Sequence, residues 1–237
     1  MSRPLSRLAV VVAALTMVPA SMIQATPARA PAPTRQIAIG EGGSHILGRP
    51  NAPVKLVEYG SYTCPHCAHF ATEAEDTLIN TYVASGRTSF EVRHLVRDPI
   101  DLAMAVAVNC GSQARFFIRH KAMFDAQEQI LNQVRALPPE RLQAWGTYPV
   151  NQRIRHVADD SGVTAWMRRM GYTPAQINRC LGDTAMQERL IAMTNAATQA
   201  GVTGTPSFAI NGSLLPNVYS WAALRPELDS RVALASR

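Results

Sequence analysis

Apolar and polar residues along this chain predict a strand–helix–strand unit, then a long helical stretch, then a hairpin and a last helix. Val54-Lys55-Leu56-Val57-Glu58-Tyr59 is apolar and β-branched and reads as a strand. Phe70 to Leu78 has helix-forming composition that continues to about Ser85, with Gly86 as the stop. Thr88 to Val96 reads as a second strand, and strand, helix and strand together form a β-α-β unit with parallel strands. Ahead of this unit the pattern supports a short strand at Gln36–Ile39, after which Gly40, Gly42, Gly43 and Arg49-Pro50-Asn51-Ala52-Pro53 break structure. From Asp98-Pro99 to about Gly201 the period is helical, and Phe116, Phe117, His120, Met123, Phe124 and Gln127 mark one face of a helix. His120 in that stripe reads as a satisfied, partly buried side chain and not as a base. Pro138-Pro139 and Gly146–Pro149 punctuate the region, Thr173-Pro174 caps one helix, and another runs from Thr184 to Ala200. Pro206–Ile210 then reads as a strand, Asn211-Gly212 as a two-residue hairpin turn and Ser213–Leu215 as the return, with a helix from Trp221.

Composition changes this picture at the N-terminus. The 237 residues are 47% hydrophobic and 17% charged, as in an ordinary globular chain of one or two domains. Arg3 and Arg7 precede the apolar run Leu8–Leu15, and Ala28-Arg29-Ala30 offers a small-x-small cleavage pattern, with Ile23-Gln24-Ala25 as a second. Residues 1–30 therefore read as a secretory signal peptide; a spanning helix would need roughly 20 apolar residues, and Pro19 interrupts the run. The formal charge of +6 includes three arginines of this segment, which has no acid, so the remainder carries only +3. No block of Lys and Arg survives there, which argues against a nucleic-acid partner. Residues 31–50 read as a flexible, Pro/Gly-rich lead.

The candidate chemistry sits where the first strand gives way to its helix, at Cys64-Pro65-His66-Cys67. Pro65 suits the first helical turn, which places Cys64 at the helix N-terminus among free backbone donors that stabilise a thiolate. Cys67 lies on the same helical face, in reach of a mixed disulfide on Cys64. Cys64 is thus the candidate nucleophile and Cys67 the resolving thiol, with His66 between them favouring the thiolate. The competing reading is a zinc or copper site built from Cys64, His66, Cys67 and His69; no second pair of ligands at metal spacing follows downstream, and His69 otherwise reads as a surface residue. Cys110 and Cys180 are left over, and an exported chain with one redox pair suggests that they close a structural disulfide; two buried free thiols are the alternative.

These features in this order resemble the DsbA-like thiol:disulfide oxidoreductases of the thioredoxin superfamily. The resemblance rests on Leu56-Val57-Glu58-Tyr59 before the C-P-H-C motif, on Val96-Arg97-Asp98-Pro99, and on Gly201 to Gly212, and it covers roughly residues 50–220. It implies an α/β, thioredoxin-like fold with an inserted helical subdomain: thioredoxin-like segments at 51–98 and 191–237, and the insertion at 99–190. It also implies a cis-proline loop at Thr205-Pro206 that pairs with substrate. Glu58 would match a buried acid near the redox pair; the alternative reading is a surface carboxylate on a strand edge. Some relatives carry cysteines at points comparable with Cys110 and Cys180. Residues 134–172 match nothing in the family pattern.

The function this implies is an exported, periplasmic dithiol oxidase that needs no cofactor. It would act as a monomer on reduced or unfolded exported proteins and be recycled by a membrane-bound redox partner. Isomerase or reductase activity would use the same atoms. Thr205 also occurs in isomerase-type relatives, but residues 31–50 are too short for the dimerisation segment those relatives carry. A groove that binds unfolded chains without turnover is a third possibility.

Overall fold

The computed structural model describes residues 36–235. The signal peptide expected at 1–30, and most of the lead before Gln36, lie outside them. Among the described residues, six strands form one mixed sheet in the order β1-β2-β4-β3-β5-β6. They are β1 (Ile37–Ile39), β2 (His45–Leu47), β3 (Val54–Gly60), β4 (Thr88–His94), β5 (Ser207–Ile210) and β6 (Ser213–Leu214). β3 and β4 are parallel, as the β-α-β pattern requires, with Leu56 opposite Phe90 and Glu58 opposite Val92. β5 lies antiparallel on the other side of β3, with Phe208 opposite Glu58. Asn211 and Gly212 both have positive φ, the backbone a tight hairpin turn needs, and they close β5 on β6.

One expectation is corrected here. Residues 37–47 are not part of a flexible lead: β1 and β2 pair antiparallel, and β2 extends the sheet along β4. His45 and Leu47 are buried there. The short strand expected at Gln36–Ile39 is β1, whereas β2, three residues after a run of glycines, carries too little alternation to register in the sequence.

Helix α1 (Pro65–Thr77) follows β3 and widens into a π-helical segment, Leu78–Val83. Its chain turns back at Gly86, whose φ is +72°. The helical region then comprises α2 (Pro99–Asn109), α3 (Phe116–Arg135), α4 (Pro139–Thr147), α5 (Val150–Ser161), α6 (Val163–Arg169), α7 (Pro174–Leu181) and α8 (Thr184–Gln199). Thr173 and Gln176 form a reciprocal capping box at the start of α7. Residues 134–172, for which the resemblance offered no counterpart, are the end of α3 followed by three short helices. Helix α9 (Trp221–Leu234) closes the chain.

Both faces of β3 are covered, which is why its apolar run is nearly continuous. Val54 and Leu56 face a core shared with Phe70, Leu78, Phe90 and Phe208. Val57 and Tyr59 face a smaller cluster with Ala197 of α8, Val202 and Ala209. The larger core runs without a break into the helical region through Met104, Met123 and Trp166, so the insertion and the sheet share one apolar interior.

Cys110, the C-cap of α2, is bonded to Cys180 in α7, closing a 70-residue separation. A loop of that size restricts the unfolded chain by roughly 4 kcal/mol. Replacing both cysteines with alanine is expected to lower unfolding free energy by about 2–4 kcal/mol. Urea denaturation of the double variant checks this; an unchanged midpoint would show that the bridge contributes nothing to stability.

Candidate active site

The loop between β3 and α1 is held from α2 and α3 before either cysteine is reached. Asp98 caps α2 by accepting from the Ile100 and Asp101 amides at 2.8 Å each, and also accepts from Thr63 Oγ1 at 2.8 Å. Asp101, buried in the first turn, accepts from Ser61 Oγ at 2.6 Å, from the Tyr62 amide at 2.8 Å and from the Arg97 amide at 3.0 Å. Burial pushes its carboxyl up to about 6, against the pull of those hydrogen bonds. From α3, Gln127 Nε2 donates to the carbonyls of Tyr62 at 2.8 Å and Cys64 at 2.9 Å. Two helices of the insertion therefore fix the backbone that presents the first cysteine.

Cys64 is the N-cap of α1, with extended backbone, and Pro65 opens the first turn. The geometry is the one the C-P-H-C spacing predicts. Its thiol is lowered to about 5, chiefly by a hydrogen bond from Cys67, with further help from the Thr205 side chain and from the backbone N–H groups of Cys67 and His66; burial opposes them. His66 thus contributes through its backbone amide, while its ring is exposed. As a thiol, Cys64 Sγ donates to the Thr205 carbonyl at 3.2 Å. The Thr205–Pro206 bond is cis, and the loop it belongs to lies against Cys64. Cys67 is wholly buried, and burial pushes its thiol well above the ordinary range, reinforced by the Cys64 and Glu58 charges. Neither of these cysteines is bridged.

Glu58 is not a surface carboxylate. It sits on the central strand, 1% exposed, and neither carboxyl oxygen has a hydrogen-bond partner among the described residues. Burial, then the charges of Glu75 and Cys64, raise it well above the carboxylate range. Gly60 makes room for it: a Cβ there would come within 3.1 Å of Glu58 Oε1.

The metal arrangement does not assemble. His69 is exposed and lies 3.2 Å from Glu73, a turn away along α1. Among the described residues no three His, Cys, Asp or Glu side chains are grouped as a metal would require.

Sequence reasoning missed Asp101 and Glu75 and understated His120. His120 is buried, takes part in a 2.7 Å hydrogen bond between its Nδ1 and Tyr62 Oη, and lies with Nε2 3.0 Å from Glu75 Oε1. That second approach falls off the line of a good hydrogen bond. A signal for Glu75 does exist, since it borders the apolar stripe Cys67, Ala71, Ala74 and Leu78 at helical spacing.

A family model described as thioredoxin matches residues 41–230. The chain belongs to the thioredoxin family. This thioredoxin-family chain is 39% identical to a protein-disulfide isomerase of Novosphingobium aromaticivorans whose crystal structure superposes with a TM-score of 0.77, covering 80% of this chain and 97% of that one. The structure of Wolbachia pipientis alpha-DsbA1 shares the fold, with a TM-score of 0.63 and 20% identity over 81% of this chain and 92% of that one. A Rickettsia bellii protein provisionally named a protein-disulfide oxidoreductase is 28% identical over 79% of this chain, which spans 64% of that relative's length. The fold read from the sequence, thioredoxin-like with an inserted helical region, is the fold observed.

Proposed function

We propose that this chain is an exported thiol:disulfide oxidoreductase that donates the Cys64–Cys67 disulfide to reduced exported proteins. The observation that carries the reading is the asymmetry of the pair: one thiol stabilised as thiolate at a helix N-terminus beside the Thr205 loop, the other sealed in the interior. A substrate thiolate attacks Cys64 Sγ, the Cys64–Cys67 bond breaks, and Cys67 leaves and takes up a proton. A second substrate thiolate then attacks the substrate sulfur, and Cys64 leaves as thiolate. Two substrate thiols become a disulfide, the pair becomes one thiolate and one thiol, and one proton goes to solvent. Extended substrate would pair with the backbone of Thr205 by strand addition.

The test is to mix oxidised protein with a reduced, unfolded protein and follow the loss of substrate thiols. Stoichiometric transfer is expected; no transfer would sink the reading. A second reading, disulfide isomerase, is favoured by the 39% identity to the Novosphingobium protein-disulfide isomerase. Scrambled substrate separates the two, since an oxidase leaves wrong pairings in place and an isomerase corrects them.

Export is supported by the charge and apolar pattern of residues 1–30, and mature protein in the periplasm beginning after Ala25 or Ala30 would test it. A monomer recycled by a membrane-bound redox partner fits the same reading. Among the described residues no helix is long and apolar enough to cross a membrane.

Glu58 fits as the proton donor and acceptor for Cys67, the buried thiol beside it. Burial, which raises its pKa, favours the protonated form, so Glu58 can supply the proton that Cys67 takes on leaving and accept it again during reoxidation. Glu58→Gln is expected to slow the step in which Cys67 acts by about a hundredfold, at the low end of general acid–base effects. Stopped-flow fluorescence of reduction and reoxidation measures it, and unchanged rates would leave the carboxyl without a chemical role.

A further inference from the structure

Arg119 of α3 is a buried charge without a counter-charge. Its side chain is 2% exposed, and no carboxylate of the described residues pairs with it. Nε donates to the Val108 carbonyl at 2.7 Å, in the last turn of α2, but Nη2 has no hydrogen-bond partner among the described residues. Guanidinium groups are rarely taken into an interior unpaired, because an uncompensated charge there is strongly destabilising. The C-terminus of α2 offers about half an elementary negative charge. Part of that is engaged by Tyr172, whose hydroxyl donates to the Cys110 carbonyl at 2.6 Å. Arg115, one turn earlier on the same helical face, adds positive charge instead of offsetting it.

Beside Arg119 lies a cavity of about 210 Å³, where the end of α2, the start of α3 and the turn between α6 and α7 meet. Arg115, Arg119, Ser112, Tyr172 and Gln176 line it, and no Asp or Glu does. The wall therefore supplies two guanidinium groups, a hydroxyl and a side-chain amide as donors, with no fixed negative charge to answer them. At about 30 Å³ per water, the cavity has room for a four-oxygen ion with part of its hydration. We propose that Arg119 and Arg115 form a binding site for a free polyatomic oxyanion, phosphate or sulfate, with Ser112 and Gln176 donating alongside. A guanidinium fork matches two oxygens of one such ion, and the bound charge is the counter-ion that the fold itself does not provide. Ser112 and Arg115 also stand at the entry to α3, whose N-terminal end carries the positive half of its dipole. The site includes neither redox cysteine and does not depend on the oxidoreductase reading. A bound ion would join α2, α3 and the start of α7, and by mass action it would stabilise the folded chain.

The experiment titrates the oxidised full chain with inorganic phosphate, and separately with sulfate, at a constant ionic strength of about 0.15 M set with sodium chloride. Isothermal calorimetry is expected to show one ion per chain with a dissociation constant of about 1 mM, the affinity of two charge-assisted hydrogen bonds. At about 10 mM of either ion the melting temperature should rise by about 3–6 °C. Arg115→Gln, at an exposed position, should weaken binding about tenfold and cut that rise to about 1–2 °C. Arg119→Leu should abolish saturable binding; should that variant fail to fold, Arg115→Gln decides alone. A melting temperature that climbs linearly with ion concentration, equally in wild type and Arg115→Gln, is the general salting effect of these ions and would overturn the site. Saturable binding that Arg115→Gln leaves unchanged would overturn it as well. So would the absence of any binding heat, with water alone then satisfying Nη2.

Discussion

Cys64→Ser is expected to reduce thiol–disulfide exchange to background, and alkylation of wild-type Cys64 to follow a single titration with its midpoint near pH 5. An ordinary cysteine, with a pKa of about 8.5, is only a few per cent thiolate at pH 7, whereas Cys64 is almost wholly ionised there. The gain in ionised fraction is partly offset by lower intrinsic nucleophilicity, so the diagnostic is the position of the plateau and not the absolute rate. As a leaving group Cys64 benefits without that offset, because a lower-pKa thiol departs faster, and in the proposed oxidase direction departure of Cys64 is the step that releases oxidised substrate. Cys67 should resist alkylation until the protein unfolds, since it is wholly buried. Mass spectrometry after alkylation at graded pH reads both; a midpoint near 8.5 would remove the basis for assigning Cys64 as nucleophile and leaving group.

The second large effect is on stability, and its sign is unusual for a disulfide. The folded pKa of about 5 lies below that of an unfolded thiol, so between about pH 5 and pH 9 the folded dithiol form binds fewer protons than its unfolded chain. Stability of the reduced protein therefore rises with pH across that window and is lost as pH falls through 5. The oxidised protein has no Cys64 proton to lose and lacks this dependence. Each pKa unit by which the thiolate is favoured corresponds to about 1.4 kcal/mol. Two such units outweigh the roughly 2 kcal/mol by which closing so short a loop restricts the unfolded chain. At pH 7 the surplus of about 0.8 kcal/mol should make the reduced form melt about 2–3 °C above the oxidised one, at about 2–4 °C per kcal/mol for a chain of this size, and towards pH 5 the order should invert. Calorimetry of both forms from pH 4 to 8 measures it. Equal melting temperatures at every pH would argue for a pair poised like that of a reducing thioredoxin.

What the sequence made legible was local. Pro65 in the first turn placed Cys64 at the helix N-terminus because that position depends on two neighbouring residues and nothing distant. Asn211-Gly212 specified its hairpin for the same reason. Glu58 followed the period of Val54 and Leu56 along β3, but which strands cover that face is set by residues more than 30 positions away, at Val92 and Phe208. The inward turn of Glu75 and the depth of His120 were hidden for a related reason. A carboxylate bordering an apolar helical stripe reads as its solvent edge until the partner helix is known, and here α3 covers that edge. Asp101 looked like an ordinary first-turn acid of α2, while its main role lies across space, in the Ser61 and Tyr62 groups it holds. The helices at residues 139–169 are short and end at Gly and Pro, so no single period extends far enough to frame them.

The sheet margins carry a consequence for the proposed work on unfolded chains. The two outermost strands, β1 and β6, are three and two residues long. Long open margins would offer an arriving polypeptide a row of unpaired amides and carbonyls, the template on which aggregates grow. At those two strands the row is short, so under the proposed function a client would find its extended backbone partner at the Thr205 loop over the sulfur and little to nucleate on at either outer strand. The shortness of β1 and β6 works against edge-to-edge pairing both with such clients and with other copies of the chain.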